Sequence, residues 1–430
     1  MPPAAPDIAI VGLGRVGLPL ALSFADRGRT VLGVDKDPER LAAVDAGRMP
    51  FMEHGGEALM ARVHASGRLE TSDRVADAAR AETIVLTLGT PSFSHIEIDM
   101  RDIRSALDDL LPHLRPGHLI VLRSTVAPGT TEFVAGYLER QRGLRAGEEI
   151  YVAHVPERIA AGRFLEEIDR LPCIVGGVGA ASGERAARAF AVFDAPIVQT
   201  TPVQAELAKI WANIMRYTTF ALPNLLMMDC EQYGANVFEV IDLVNRDYPR
   251  GGLAQPGFTA GTCLRKDFAF SEERSNAPGM LLAVSRVNES VPNFLVQGMK
   301  RRIGDGGLRG RKVAVLGLAF KRDTDDERDS LAHKLVRLLE RELADVAVHD
   351  PHVASPTQPL EEALRDADVV VVATNHSRFE TPETAQAIVA LARDGALVVD
   401  PWNCLGGGQV FASAAELAPA AAPGAEAPRG

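Results

Sequence analysis

Short apolar runs alternate with amphipathic stretches through the first 200 residues. Ile8–Val11, Thr30–Val34, Thr83–Leu88, Leu119–Leu122, Glu149–Ala153 and Cys173–Val175 read as strands. Asp102–Leu114 and Gly183–Phe193 carry helical periodicity between them. Such alternation predicts a parallel sheet with helices on both faces. From Pro202 the rhythm changes. Val203–Tyr233 reads as one long helix, kinked at Pro223, and Val237–Val244 and Met280–Ile303 are also helical. Strand-like runs return at Lys312–Leu316, Asp345–His349, Asp368–Ala373 and Ala396–Val399, with helices at Leu331–Leu343 and Thr384–Ala392. The opening strings IAIVGLG and VAVLGLA share one logic. The expected fold class is therefore α/β. Two Rossmann-like domains with parallel sheets are joined by a central all-helical region with one long helix. The expected boundaries are 1–200 for the first domain, 201–305 for the helical region and 306–411 for the second domain. Residues 412–430, mostly Ala, Pro and Gly, read as a disordered tail.

Composition narrows the function. A chain of 430 residues supports two or three cores. Its net charge of −11 argues against nucleic-acid and anionic-membrane partners, so an anionic substrate needs its own local cations. No stretch reads as a secretory signal or a membrane span. Cys173, Cys230, Cys263 and Cys404 are scattered, without a Cys-x-x-Cys pair, which points away from zinc and disulfides and toward a reducing cytoplasm.

Gly12-Leu-Gly14-Arg-Val-Gly17 follows the first strand and opens the helix Val16–Arg27. Its glycines serve a tight turn, close approach of a pyrophosphate, and helix–strand packing. Amides at the helix N-terminus favour phosphate. Asp35 ends the next strand, where a carboxylate accepts hydrogen bonds from a ribose diol and repels a 2′-phosphate; this favours NAD over NADP. Lys36 weakens that preference slightly. The bland alternative is a glycine-rich turn that binds nothing. A second motif is Gly261-Thr-Cys263-Leu-Arg-Lys266-Asp267. Gly257 and Gly261 let backbone approach a substrate. Lys266 and a helix start near Leu264 would lower the Cys263 pKa. The other three cysteines fit a buried, inert role better. Lys209 and Asn213, spaced i, i+4, share one helix face. Taken alone, Lys209 reads as a solvated charge.

These motifs, with Leu88-Gly-Thr-Pro91, Ser124-Thr-Val-Ala-Pro-Gly-Thr-Thr131, Pro156-Glu-Arg158 and Gly317-Leu-Ala-Phe-Lys321 running on to Arg328-Asp-Ser330, resemble the UDP-glucose/GDP-mannose dehydrogenase family of nucleotide-sugar 6-dehydrogenases, in order along nearly the whole chain. The resemblance implies an NAD-dependent, four-electron oxidation of a C6 alcohol to a carboxylate. Cys263 would form a thiohemiacetal and then a thioester. Lys209 and Asn213 would stabilise oxyanions. Glu157 would act as general base, Asp267 would position water, and Thr125 would hold part of that network. Cofactor contacts are implied for Gly12, Gly14, Val16, Gly17, Asp35, Lys36, Thr90, Pro91 and Thr125. Substrate contacts are implied for Arg158, Lys209, Arg250, Gly261, Phe320, Lys321 and Arg328, with Arg250 reaching across a homodimer interface built on the long helix. A surface ion pair with Asp325 or Asp329 is the alternative for Arg328.

Two departures stand out. Arg265 replaces the proline common before the lysine of the cysteine motif, and Ala161 replaces a second glutamate usual in the glucose-specific branch. The segment Pro156–Glu167 and the Pro249–Gly257 region look like the branch that oxidises UDP-N-acetylhexosamines; UDP-glucose and other nucleotide hexoses stay open. Two rival classes remain. A two-electron dehydrogenase of related architecture needs no cysteine nucleophile. A non-catalytic nucleotide-binding module would dispense with some of Cys263, Lys209, Asn213, Glu157 and Asp267, and all five are present.

Overall fold

The computed structural model describes residues 5–89, 100–160, 162–259, 261, 264, 267–268, 279–354 and 357–417. Eight strands form the first sheet: β1 (Ile8–Val11), β2 (Val31–Val34), β3 (Leu69–Ser72), β4 (Thr83–Leu86), β5 (Leu119–Leu122), β6 (Tyr151–His154), β7 (Cys173–Gly177) and β8 (Ile197–Thr200). Their order is β3-β2-β1-β4-β5-β6-β7-β8, parallel except for the β6–β7 pair. The strand order changes direction at the β1–β4 pair, and in open α/β sheets ligands bind above such a switch point. Ile8 and Ile10 enter one hydrophobic core, while Ala9 and Val11 enter another. The sheet is thus buried on both faces, as parallel strands require.

Five strands form the second sheet: β9 (Lys312–Leu316), β10 (Asp345–His349), β11 (Val369–Val372), β12 (Leu397–Val399) and β13 (Phe411–Ser413). Their order is β10-β9-β11-β12-β13, with β12–β13 antiparallel. Helices Pro202–Tyr233, Val237–Asn245 and Met280–Ile303 lie between β8 and β9 along the chain. The expected α/β class holds, with one antiparallel pair in each sheet. The chain divides into two compact units, Met1–Asn213 with Lys266–Ser275, and Ile214–Arg265 with Asn276–Gly430. The division falls within the 32-residue helix. Among the described residues, no helix is long and apolar enough to cross a membrane.

Three strands escaped the sequence reading. β3 and β8 are edge strands with polar sequences, LETS and IVQT, and lack the apolar run that marks a central strand. β13 corrects the expected start of the tail. Phe411–Ser413 pairs with β12, and Ala412, Ala414 and Leu417 are buried. A small-residue composition resembled a linker, but these residues close the edge of the second sheet.

The glycine loop explains its own residues. Gly12 sits at φ +96°, a conformation that favours glycine. A Cβ on Gly17 would lie 1.8 Å from the Gly12 carbonyl oxygen and 2.5 Å from Thr87 Oγ1. A Cβ on Gly14 would meet nothing within 4 Å. Gly17 is therefore a packing requirement, whereas Gly14 keeps space open in front of the loop. Gly17→Ala is expected to lower the unfolding temperature, at a cost of about 1–3 kcal/mol or more. Gly14→Ala should leave it nearly unchanged, so equal losses in thermal unfolding would contradict this division of roles.

Candidate active site

Asp35, at the end of β2, is buried. Its Oδ2 accepts the Leu13 N–H at 2.6 Å and Arg40 Nη1 at 2.9 Å, and its Oδ1 accepts the Asp37 N–H at 3.0 Å. The carboxylate thus clasps the glycine loop to the adjoining strand, besides its expected ribose contact. Thr87, just past β4, donates to the Gly12 carbonyl at 2.6 Å. The open Gly14 position, the positive φ of Gly12 and the helix start at Gly17 together fit a dinucleotide pyrophosphate. Val16 directly precedes that helix. Lys36 is exposed, with Nζ 3.7 Å from Asp102 Oδ1. Thr90, Pro91, Thr262, Cys263 and Lys266 lie outside the described residues.

The same unit gathers buried charge beyond β5 and β6. Asp267 is fully buried, and its Oδ2 accepts Asn213 Nδ2 at 2.5 Å, joining two residues 54 positions apart. Lys209, one helical turn before Asn213, is 9% exposed and has no hydrogen bond or ion pair among the described residues. Thr125 lies on the loop after β5, half-buried. Glu157, expected as a general base, has both oxygens engaged. Oε2 is ion-paired with Arg123 Nη2, and Oε1 accepts the Ile159 N–H at 2.8 Å. Arg158 donates to the Pro172 carbonyl.

Three functional candidates escaped the sequence reading. Arg123 hides in an apolar strand end. Glu206 is buried on the long helix and accepts the Gly129 N–H at 2.6 Å, the Thr131 N–H at 2.8 Å and the Thr131 hydroxyl at 2.6 Å. It ties the helix that carries Lys209 and Asn213 to the loop that carries Thr125. The string Ala205-Glu-Leu-Ala-Lys209 held a signal, because a carboxylate one turn before a buried lysine needs donors of its own. His154, ending β6, is fully buried, and neither ring nitrogen has a hydrogen-bond partner among the described residues.

In the other unit, Gly257 donates its N–H to Asn224 Oδ1 at 2.8 Å, and Asn224 Nδ2 donates to Asn288 Oδ1 at 3.0 Å. This buried amide pair anchors the segment that leads to Cys263. A Cβ on Gly261 would lie 2.6 Å from the Phe320 ring, so these two expected substrate residues are in close contact. Arg328 forms a bidentate pair with Asp326, at 2.8 and 2.7 Å, a partner that the sequence did not single out. Its guanidinium stays largely exposed, which makes the pair weak and exchangeable. Lys321 is half-buried on the same loop. Arg250 is exposed, 5.5 Å from the Tyr248 ring centre. Asp323, His352 and His376 bring ligand-type atoms within 4.8 Å of one another. However, His376 Nδ1 accepts the Asp323 N–H at 3.0 Å and Nε2 faces Asp350 at 3.1 Å, which leaves that ring no lone pair for a metal.

Burial pushes the Cys173, Cys230 and Cys404 thiols up, so all three stay protonated. Burial, with the charges of Arg123 and Lys209, pushes His154 down to about 3. The unfolded imidazole titrates near about 6.5. Between those values the unfolded chain binds a proton that the folded chain refuses. The stability His154 contributes is therefore complete above the upper value and is lost as pH falls toward the lower, by at most about 1.4 kcal/mol per pH unit. Replacing His154 with Leu should flatten this decline. Urea midpoints compared at about pH 7 and pH 5 check it, and an unchanged slope would refute the assignment.

The NAD binding domain of one family matches residues 6–194, its central domain 203–290 and its UDP binding domain 314–407. The chain is 33% identical over 379 residues to a UDP-N-acetyl-D-mannosamine dehydrogenase of Pyrococcus horikoshii, covering 87% of this chain and 90% of the relative. It is 31% identical to an NDP-N-acetyl-D-galactosaminuronic acid dehydrogenase of Ralstonia nicotianae, covering 88% and 92%. The solved structure of a UDP-D-ManNAc dehydrogenase from Pyrococcus horikoshii superposes with a TM-score of 0.86 at 32% identity, covering 92% of this chain and 95% of that one. With its dinucleotide loop, the chain is an NAD-dependent dehydrogenase, and it belongs to the UDP-glucose/GDP-mannose dehydrogenase family.

Proposed function

We propose that this enzyme oxidises the C6 alcohol of a UDP-N-acetylhexosamine to the uronic acid in two successive two-electron steps, with Cys263 as the covalent nucleophile. Bound NAD supplies the hydride acceptor for each step. The alcohol loses a hydride and a proton and becomes an aldehyde. The Cys263 thiolate adds to that carbonyl, and the oxyanion takes up a proton to give a thiohemiacetal. Loss of a second hydride and proton leaves a thioester, which water cleaves to the carboxylate and the free thiol. Lys209 and Asn213 face negative charge on the sugar oxygen. Asp267, oriented by Asn213, and Thr125 position the water, and Glu157 adds a fixed negative charge nearby. Lys321, Arg328 and Arg158 offer cations to the diphosphate and sugar, and Arg250 reaches the sugar of a neighbouring subunit.

The observation that carries this reading is Lys209, a buried cation without a counter-ion among the described residues. Such a charge is costly to bury. It is explained if its partner is an oxyanion that develops during the reaction. The protonated state of the three other thiols also supports Cys263 as the nucleophile. Ala161, where a second glutamate would stand in the glucose branch, and the N-acetylhexosamine substrates in the names of similar enzymes support the sugar class.

Two NADH per sugar, read by absorbance across a panel of UDP-sugars, is the expected result; one NADH would eliminate the four-electron reading. Lys209→Ala should lower kcat about 10²–10³-fold, the loss typical of one oxyanion donor. Cys263→Ala should release no uronic acid.

The long helix also presents Leu207, Trp211, Met215, Leu222 and Leu225 as exposed residues on one face, with Trp211 51% and Met215 67% exposed. A second copy of the chain would cover this stripe in a self-complementary contact. Light scattering should give a dimer for the wild type and a monomer for the Trp211→Glu, Met215→Glu double variant. A monomeric wild type would contradict the assembly.

A further inference from the structure

Arg123 directly follows β5 and is 4% exposed. Besides its ion pair with Glu157, Nη1 donates to the Val155 carbonyl at 3.2 Å, and the guanidinium carbon lies 5.2 Å from the Phe190 ring centre. Glu157 in turn receives a donor on each oxygen, Arg123 on one and the Ile159 N–H on the other. The titratable groups facing the pair come from several elements. β6 contributes His154, held neutral, and β7 contributes Cys173, held as the thiol. Next to these two lie further cations, Arg158 near Cys173 and Lys209 near His154.

We propose that Arg123 is a positioning residue that fixes Glu157 as a permanent anion, so that Glu157 serves by its charge and by holding the turn Pro156–Ile159, not by accepting a proton. The inference rests on the dehydrogenase reading above. A general base must give up its hydrogen bonds to one proton and return them each turnover. Protonating Glu157 would leave the Arg123 charge buried and unpaired, the arrangement that makes breaking a buried pair so unfavourable. The neutral His154 and the protonated Cys173 offer no substitute anion.

The pH dependence of kcat tests this directly. Relative to the wild type, Glu157→Gln should leave the acid limb in place, with a loss smaller than the about 10²–10⁴-fold that removing a general base causes. Arg123→Met leaves a buried carboxylate without its counter-ion, so a new acid limb should appear closer to neutral pH. That limb should vanish in the Arg123→Met, Glu157→Gln double variant and move part of the way back in Arg123→Lys. Should Arg123→Met fail to fold, Arg123→Lys, with its single-point charge, still predicts an acid limb above that of the wild type. Disappearance of the wild-type acid limb in Glu157→Gln would make Glu157 the base and overturn the proposal. So would Arg123 variants whose profiles match the wild type. The number of NADH formed per sugar in the same samples reads the oxidation itself and is expected to stay at two whichever way the profiles fall.

Discussion

One hydrogen bond organises both nucleotide-type folds in this chain. In each, a carboxylate at the end of the second strand accepts the N–H that follows the first glycine. Leu13 donates to Asp35 Oδ2 at 2.6 Å, and Leu318 donates to Asp350 Oδ2 at 2.6 Å. The preceding glycines match as well. Gly12 has φ +96° and Gly317 +97°, and each donates its N–H at 2.7 Å to the neighbouring strand. A threonine after the switch strand completes each latch, Thr87 onto the Gly12 carbonyl and Thr374 onto the Ala319 carbonyl, both at 2.6 Å. The latch fixes the backbone of each loop where it leaves the first strand.

The two latches then part ways. Gly14 and Gly17 correspond to Ala319 and Arg322 in the second copy. Asp350 also receives the Ala319, His352 and Val353 N–H groups and faces His376 Nε2, so its acceptor capacity is consumed within the protein. Asp35 keeps a lighter set of donors. The first fold can therefore offer a carboxylate and an open glycine to a dinucleotide. The second must hold its nucleotide by other groups, and the cations Lys321 and Arg328 sit on the loop that follows.

Charge burial is the second theme. A chain with a net charge of −11 still buries Arg123, Lys209, Glu157, Glu206 and Asp267 in one unit. Glu206 is held by neutral donors and Asp267 accepts from the Asn213 amide, while Glu157 is held by Arg123 and a backbone N–H. Lys209 is the exception among the described residues. A buried charge without a protein partner is costly, which is the ground for the oxyanion role proposed for Lys209.

Much of this was legible in the linear chain. Periodicity marked the central strands β1, β4, β5 and β9 and the helix Met280–Ile303, because buried parallel strands and long helices carry strong, uninterrupted apolar signals. The glycine spacing and Asp35 marked the cofactor loop, because backbone geometry at those positions tolerates few residue types. The edge strands β3 and β8 and the closing strand β13 were hidden, since their pairing rests on neighbours distant in sequence. Only the tertiary structure decided which charges meet. It set Asp267 against Asn213, Glu206 against the Gly129–Thr131 backbone, and Arg123 against Glu157. Local sequence encodes propensity and period. The environment of a buried charge is decided by contacts between segments that the linear order keeps tens of residues apart.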